Sequence, residues 1–179
     1  WNRSFSYEAI PYQNNPNRMF NKGGIWKGHL AATRDALLTH LPATPTVVEI
    51  GCGEGHFLRG LSRACTGGRF VGFDPNSSAD SGRGIEFYAR LFEPLADMPA
   101  YQPDAVIIRH VLEHLNEPAA LLEQLAWGTT SSGKSCLLFA EMPCIDRVFE
   151  TGRLADFYFE HTAQFTTESF RALMQRAGE

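Results

Sequence analysis

The segment Glu49-Ile50-Gly51-Cys52-Gly53-Glu54-Gly55 lies between a β-branched apolar run and a helical pattern. Alternate glycines permit a tight turn of unusual φ/ψ, and they let a ligand approach the backbone without meeting a Cβ. A helix opening behind the loop adds free N–H groups and the positive end of its dipole. Asp74 stands 23 residues after Gly51, at the end of the next apolar run. A carboxylate there can hydrogen-bond the ribose hydroxyls of a nucleoside, and it disfavours a ribose carrying a phosphate. The spacing is G-x-G-x-G, because His56 stands where the dinucleotide fingerprint has its third glycine.

Two further constellations could do chemistry. His110-Val-Leu-Glu113-His114 matches H-x-x-E-H, in which two histidines one helical turn apart can share a zinc ion. A zinc hydrolase would need a third protein ligand that the spacing does not identify, and it would leave the glycine loop and Asp74 without a role. No metal is therefore expected. The cluster Tyr158-Phe-Glu160-His161 joins a phenol, a carboxylate and an imidazole. An imidazole with a pKa near ~6.5 can accept a proton at neutral pH. In an extended segment Tyr158 and Glu160 share a face, whereas in a helix Tyr158 and His161 do. A plainer reading makes Glu160-His161 a solvated pair ahead of a helix.

The elements that must position these residues alternate along the chain. Strands are expected at Thr46–Ile50, Arg69–Asp74, Gly84–Tyr88, Ala105–Arg109 and Ser135–Glu141. Helices are expected at Trp26–Leu41, at Glu54–Cys65 and after Asn116, which could cap the helix carrying Leu121, Leu122 and Leu125. Thr166 should cap a last helix, with Phe165 and Phe170 as its hydrophobic staple and Phe170, Leu173, Met174 and Ala177 as its buried stripe. Near-continuous apolar strands separated by helices imply a doubly wound, mostly parallel α/β sheet covered on both faces. Residues 1–45 form an N-terminal arm and helix, and residues 46–179 form the ligand-binding domain, ending where a further strand would be expected.

The 24 residues from Met142 to Phe165 show only a weak helical pattern but carry Phe149, Phe157, Tyr158 and Phe159. So long a connection at the carboxyl edge of a parallel sheet is a candidate substrate lid.

Composition narrows the classes. The chain has 179 residues, is 44% hydrophobic and carries a net charge of −4, so it can build a core and offers no electrostatic footprint for duplex nucleic acid. No apolar run reaches the roughly 20 residues that a membrane span needs. Four cysteines without C-x-x-C spacing are expected to be reduced thiols of a cytoplasmic protein.

VVEIGCGEGHFLRGL, FVGFDPN, PDAVIIRHVLEHLNEP and CLLFAEMP together resemble the first, second, fourth-strand and fifth-strand regions of class I S-adenosylmethionine-dependent methyltransferases. The resemblance implies a Rossmann-like methyltransferase fold with S-adenosyl-L-methionine as cofactor. It assigns the methionine end to Glu49, Gly51, Cys52, Gly53 and Gly55, and the ribose to Asp74 beside Pro75. Leu91, Phe92, Arg109 and His110 would border the adenine and methionine portions. Tyr158, Glu160 and His161 are similar to the catalytic cluster of sugar C-methyltransferases acting on nucleotide-linked keto-deoxy sugars. That likeness implies a His161 base, aided by Glu160 or Tyr158. The acceptor would be a small molecule and not nucleic acid; an O- or N-methyltransferase, or a binding module that keeps the fold, would leave a similar trace. Tyr7, Tyr12 and Trp26 of the arm could fold over the cofactor.

Overall fold

A computed structural model describes residues 23–65, 67–153, 157 and 160–178. Tyr7, Tyr12 and Tyr158 lie outside the described residues. Five strands, β1 (Thr46–Ile50), β2 (Arg69–Phe73), β3 (Ile85–Tyr88), β4 (Ala105–Arg109) and β5 (Leu137–Glu141), form one sheet in the order β3-β2-β1-β4-β5. Every pairing in it is parallel. The expected α/β sheet is present, and the order reverses between β1 and β4, which opens a crevice at their carboxyl ends.

Alternation along the strands explains the two covered faces. Val47, Phe70, Ala105 and Ile107 point to one side, where they pack with Leu37 of α1 (Gly24–Leu38) and Phe57, Leu58 and Leu61 of α2 (His56–Ala64). Val48, Val71, Phe73, Val106 and Ile108 point to the other, against Met98 of α3 (Pro94–Tyr101) and Leu122 and Leu125 of α4 (Pro118–Ser132). Phe170, Leu173 and Met174 of α6 (Thr167–Gly178) close that side.

Several boundaries differ from expectation for local reasons. The helix expected from Glu54 starts at His56, because Gly55 at φ 73° holds a left-handed N-cap. Asn116 does not cap α4; Glu117 occupies that place, and Pro118 takes the first helical position, where its missing N–H costs nothing. α3 was not expected at all. The last helix is as expected: the Thr166 hydroxyl accepts the Ser169 N–H at 3.0 Å, and the rings of Phe165 and Phe170 meet at 6.4 Å. The connection from Met142 to Phe165 contains a short helix, α5 (Ile145–Thr151), and a parallel bridge between Cys144 and Phe165. No helix among the described residues is long and apolar enough to cross a membrane, and all four cysteines are free thiols.

Candidate active site at the carboxyl edge of the sheet

The glycine loop leaves β1 as a series of left-handed turns, with Gly51, Gly53 and Gly55 at φ 73°, 52° and 73°. Space is as restrictive as conformation: a Cβ at Gly51 would run into the Val111 side chain, and one at Gly55 into the Phe87 ring. The N–H groups of Gly51 and Cys52 both donate to the Phe73 carbonyl, at 2.8 and 3.2 Å, which ties the loop to the end of β2. Asp74 follows directly. Its Oδ2 accepts the Gly53 N–H at 2.9 Å and its Oδ1 accepts the Asn76 N–H at 2.8 Å, so the carboxylate stands fixed at the rim. Pro75 is exposed beside it. Gly55 gives α2 no side-chain cap, and the Glu49 carboxyl group accepts the Leu58 N–H of its first turn instead.

Glu49, the last acid of β1, is 3% exposed, and its Oε2 has no hydrogen-bond partner among the described residues. Burial pushes its carboxyl up to about 8, against the pull of the Arg109 guanidinium. Cys52 is buried with its sulfur over Gly72; burial, then Glu49, raises its thiol above the ordinary range. This cysteine is a neutral wall of the loop rather than a nucleophile.

Arg109 and His110 end β4. The Arg109 guanidinium lies 4.4 Å from the Phe57 ring centre and 5.9 Å from that of Trp26, and its Nε donates to Glu141 Oε2 at 3.0 Å. His110 adopts φ 54°, uncommon for a residue with a side chain, and its ring approaches Trp26 at 5.8 Å. Its Nε2 lies 3.3 Å from Glu141 and its Nδ1 3.6 Å from Glu113. Burial pulls the imidazole down, but these two carboxylates outweigh it and hold His110 up at about 9. Burial likewise pushes Glu141 up, and His110 and Arg109 bring it down to about 2. His29 of α1 adds a third partner to Glu141 at 3.1 Å. Trp26 and His29 thus tie α1 to the ends of β4 and β5.

Leu91 and Phe92 separate. Phe92 is buried edge-on against Phe73 at 5.1 Å, whereas Leu91 is 69% exposed. The H-x-x-E-H segment is not one helical turn bearing two histidines: His110 is left-handed at the strand end, and only Leu112–His114 form a short 3-10 turn. The paired-histidine geometry of a zinc peptidase is therefore not formed by His110 and His114.

His114 turns instead towards a partner far along the chain. Its Nδ1 lies 3.0 Å from the Glu160 carbonyl oxygen, and its ring meets that of His161 at 5.0 Å. Thr162 fixes this docking with its one hydroxyl proton, shared between the carbonyls of Leu115 at 2.7 Å and Glu113 at 3.1 Å, while the Ala163 N–H donates to the Glu113 carbonyl. Residues 160–163 are thus laced to the turn after β4, with His161 beside His114. Burial, then His114, lowers the His161 pKa, so the imidazole is neutral near pH 7. Glu113, which gained no role from the sequence beyond the zinc pattern, sits 2% exposed beneath it.

A left-handed glycine loop with a carboxylate fixed at its rim is an arrangement that could hold a nucleoside, and comparison with known proteins narrows the family. The model of a methyltransferase domain family matches residues 26–178. The chain belongs to this methyltransferase family. It is an enzyme of methyl transfer, and its cofactor is S-adenosyl-L-methionine. The fold is shared with a SAM-dependent methyltransferase from Archaeoglobus fulgidus, at TM-score 0.60 and 19% identity, covering 85% of this chain and 68% of that one. It is also shared with a methyltransferase from Thermotoga maritima described as a possible histamine N-methyltransferase, at TM-score 0.59 and 20% identity, covering 85% and 71%. A third similar structure is a plantazolicin methyltransferase in complex with SAH, at TM-score 0.61 and 18% identity, covering 90% of this chain and 64% of that one. No curated protein matches the chain in sequence.

Proposed function

We propose that this methyltransferase acts on a small molecule whose acceptor atom loses a proton at the cluster of Glu113, His114 and His161. S-adenosyl-L-methionine lies along Glu49, Gly51, Cys52, Gly53 and Gly55, with its ribose on Asp74 beside Pro75 and its methyl group towards Arg109 and His110. Leu91 and Phe92 flank the adenine, Leu91 by its exposed side chain and Phe92 from the core below. Displacement at a methyl carbon already activated by sulfonium needs little from the protein beyond alignment and exclusion of water. What it does need is an acceptor freed of its proton.

The observation that carries this reading is the docking of residues 160–163 on the turn after β4, which brings a neutral imidazole to the crevice. His161 takes the proton directly in the simplest form of the reaction. The acceptor class favoured is a nucleotide-linked keto-deoxy sugar, supported by the likeness of Tyr158-x-Glu160-His161 to the sugar C-methylating cluster. There the carbon beside the carbonyl gives up a proton, and an enolate attacks the methyl group. An acidic phenol or amine would need the same neutral base, which makes O- or N-methylation the second reading. The net charge of −4 favours neither duplex DNA nor RNA as acceptor.

Incubation with methyl-labelled cofactor and a panel of keto-sugar nucleotides, phenols and amines tests the assignment. A new carbon-bound methyl in the product's NMR spectrum is expected; methylation confined to oxygen or nitrogen would overturn the sugar assignment.

A further inference from the structure

The docking that brings in His161 has a second consequence. One ligand atom from each of Glu113, His114 and His161 lies within 4.8 Å of the others. These residues come from two stretches 47 positions apart, and the hydrogen bonds of Thr162 hold the stretches together. Glu113 is 2% exposed; its Oε1 is shared with His110, whereas its Oε2 is buried without a hydrogen-bond partner among the described residues. A carboxylate oxygen held away from water without a donor is costly, and a cation is the partner that removes the cost.

The histidines are prepared as ligands. The bond between His114 Nδ1 and the Glu160 carbonyl places the proton on Nδ1 and leaves Nε2 basic. Metal-ligating imidazoles are oriented by this kind of bond to a backbone carbonyl. His161 stands against His114, the two rings 5.0 Å apart.

We propose that Glu113, His114 and His161 hold a divalent cation. Two imidazoles and one carboxylate suit zinc and its neighbours cobalt(II), iron(II) and manganese(II), and three protein ligands leave a position open for water or an acceptor oxygen. Bonds of about 2.0–2.2 Å would set the ligand atoms roughly 3.4 Å apart, so the side chains close in by about an ångström on loading. The proposal rests on the reading that the acceptor loses its proton at this cluster, and it names what makes that proton acidic. With a cation bound, His161 would be a ligand rather than the base; the cation would polarise the acceptor oxygen, and the acceptor's proton would pass to solvent water.

The test uses the full chain stripped with chelator and titrated with cobalt(II). One cobalt per chain is expected, with the visible absorption of a four-coordinate ion, and zinc should displace it. E113Q, H114A and H161A should each weaken uptake at least tenfold, while H40A, which removes an exposed histidine, leaves it unchanged. Calorimetry with S-adenosylmethionine on every variant confirms that the fold is intact. Absence of cobalt uptake, or uptake that none of the three substitutions changes, overturns the cation site. If methyl transfer also proceeds in chelator, the proposed function stands with His161 as direct base. If the cofactor itself fails to bind, the proposed function falls whatever cobalt does.

Discussion

Asp74 Oδ2 accepts the backbone N–H of Gly53 at 2.9 Å, so the acid at the end of β2 and the glycine loop at the end of β1 form one rigid rim. The carboxylate is oriented before any ligand arrives, because Asn76 N–H holds its other oxygen. Pre-ordering of this kind lowers the entropy lost on binding. Asp74→Ala should weaken S-adenosylmethionine binding by about 1–3 kcal/mol, the worth of hydrogen bonds to a charged acceptor. Calorimetric affinity measures it, and an unchanged affinity would remove Asp74 from the ribose.

Glu49 gives a pH dependence of defined sign. Its carboxyl rises from 4.5 to about 8 on folding, chiefly through burial. Between those values the folded chain keeps a proton that the unfolded chain has lost. Its contribution to stability is therefore full below pH about 4.5, falls as pH rises towards 8, and then levels. Urea unfolding of the cofactor-free enzyme and of Glu49→Gln across that range should differ in slope, with the variant flatter. Equal slopes would contradict the assignment. Because the cofactor's ammonium group favours the ionised carboxylate, binding near pH 7 should also release close to one proton, measurable in buffers of different ionisation enthalpy.

Gly51→Ala should destabilise the fold as well as empty the site. The left-handed φ of 73° costs a residue with a Cβ about 1–2 kcal/mol, and the new methyl group meets Val111. Overpacking adds about 1–3 kcal/mol. The urea midpoint and the cofactor affinity should fall together. A variant with wild-type stability would show that the loop is less tightly packed than this structure has it.

His161→Ala should abolish methyl transfer while leaving cofactor affinity within about twofold, because the imidazole stands with Glu113 and His114 rather than on the glycine loop. Single-turnover assays beside binding calorimetry separate the two effects. Normal turnover would return Glu160-His161 to a surface pair.

How much of this was legible depended on how local the cause was. β4 runs over Ala105–Arg109 as expected, because Pro103-Asp104 and an unbroken apolar run mark it. The glycine loop and Asp74 were legible for the same reason: turn chemistry and strand spacing lie in adjacent residues. α3 was invisible because it has no apolar stripe and contains Pro99. It is held instead by the Arg90–Asp97 ion pair at 2.7 Å and by Met98 packed against Gly128 of α4, both set by tertiary structure. The Glu117 cap could have been found, since Pro118 marks a first helical position. The identity of His161 was readable, but its partners were not. Their meeting depends on Thr162 reaching the carbonyls of Glu113 and Leu115, hydrogen bonds with no trace in local pattern.

The most direct test of the cofactor site is a crystal structure with S-adenosylhomocysteine. The account predicts the nucleoside in the crevice between β1 and β4, both ribose hydroxyls on the Asp74 carboxylate and the amino group beside Glu49. An empty crevice at saturating ligand, or a ribose bound away from Asp74, would contradict it.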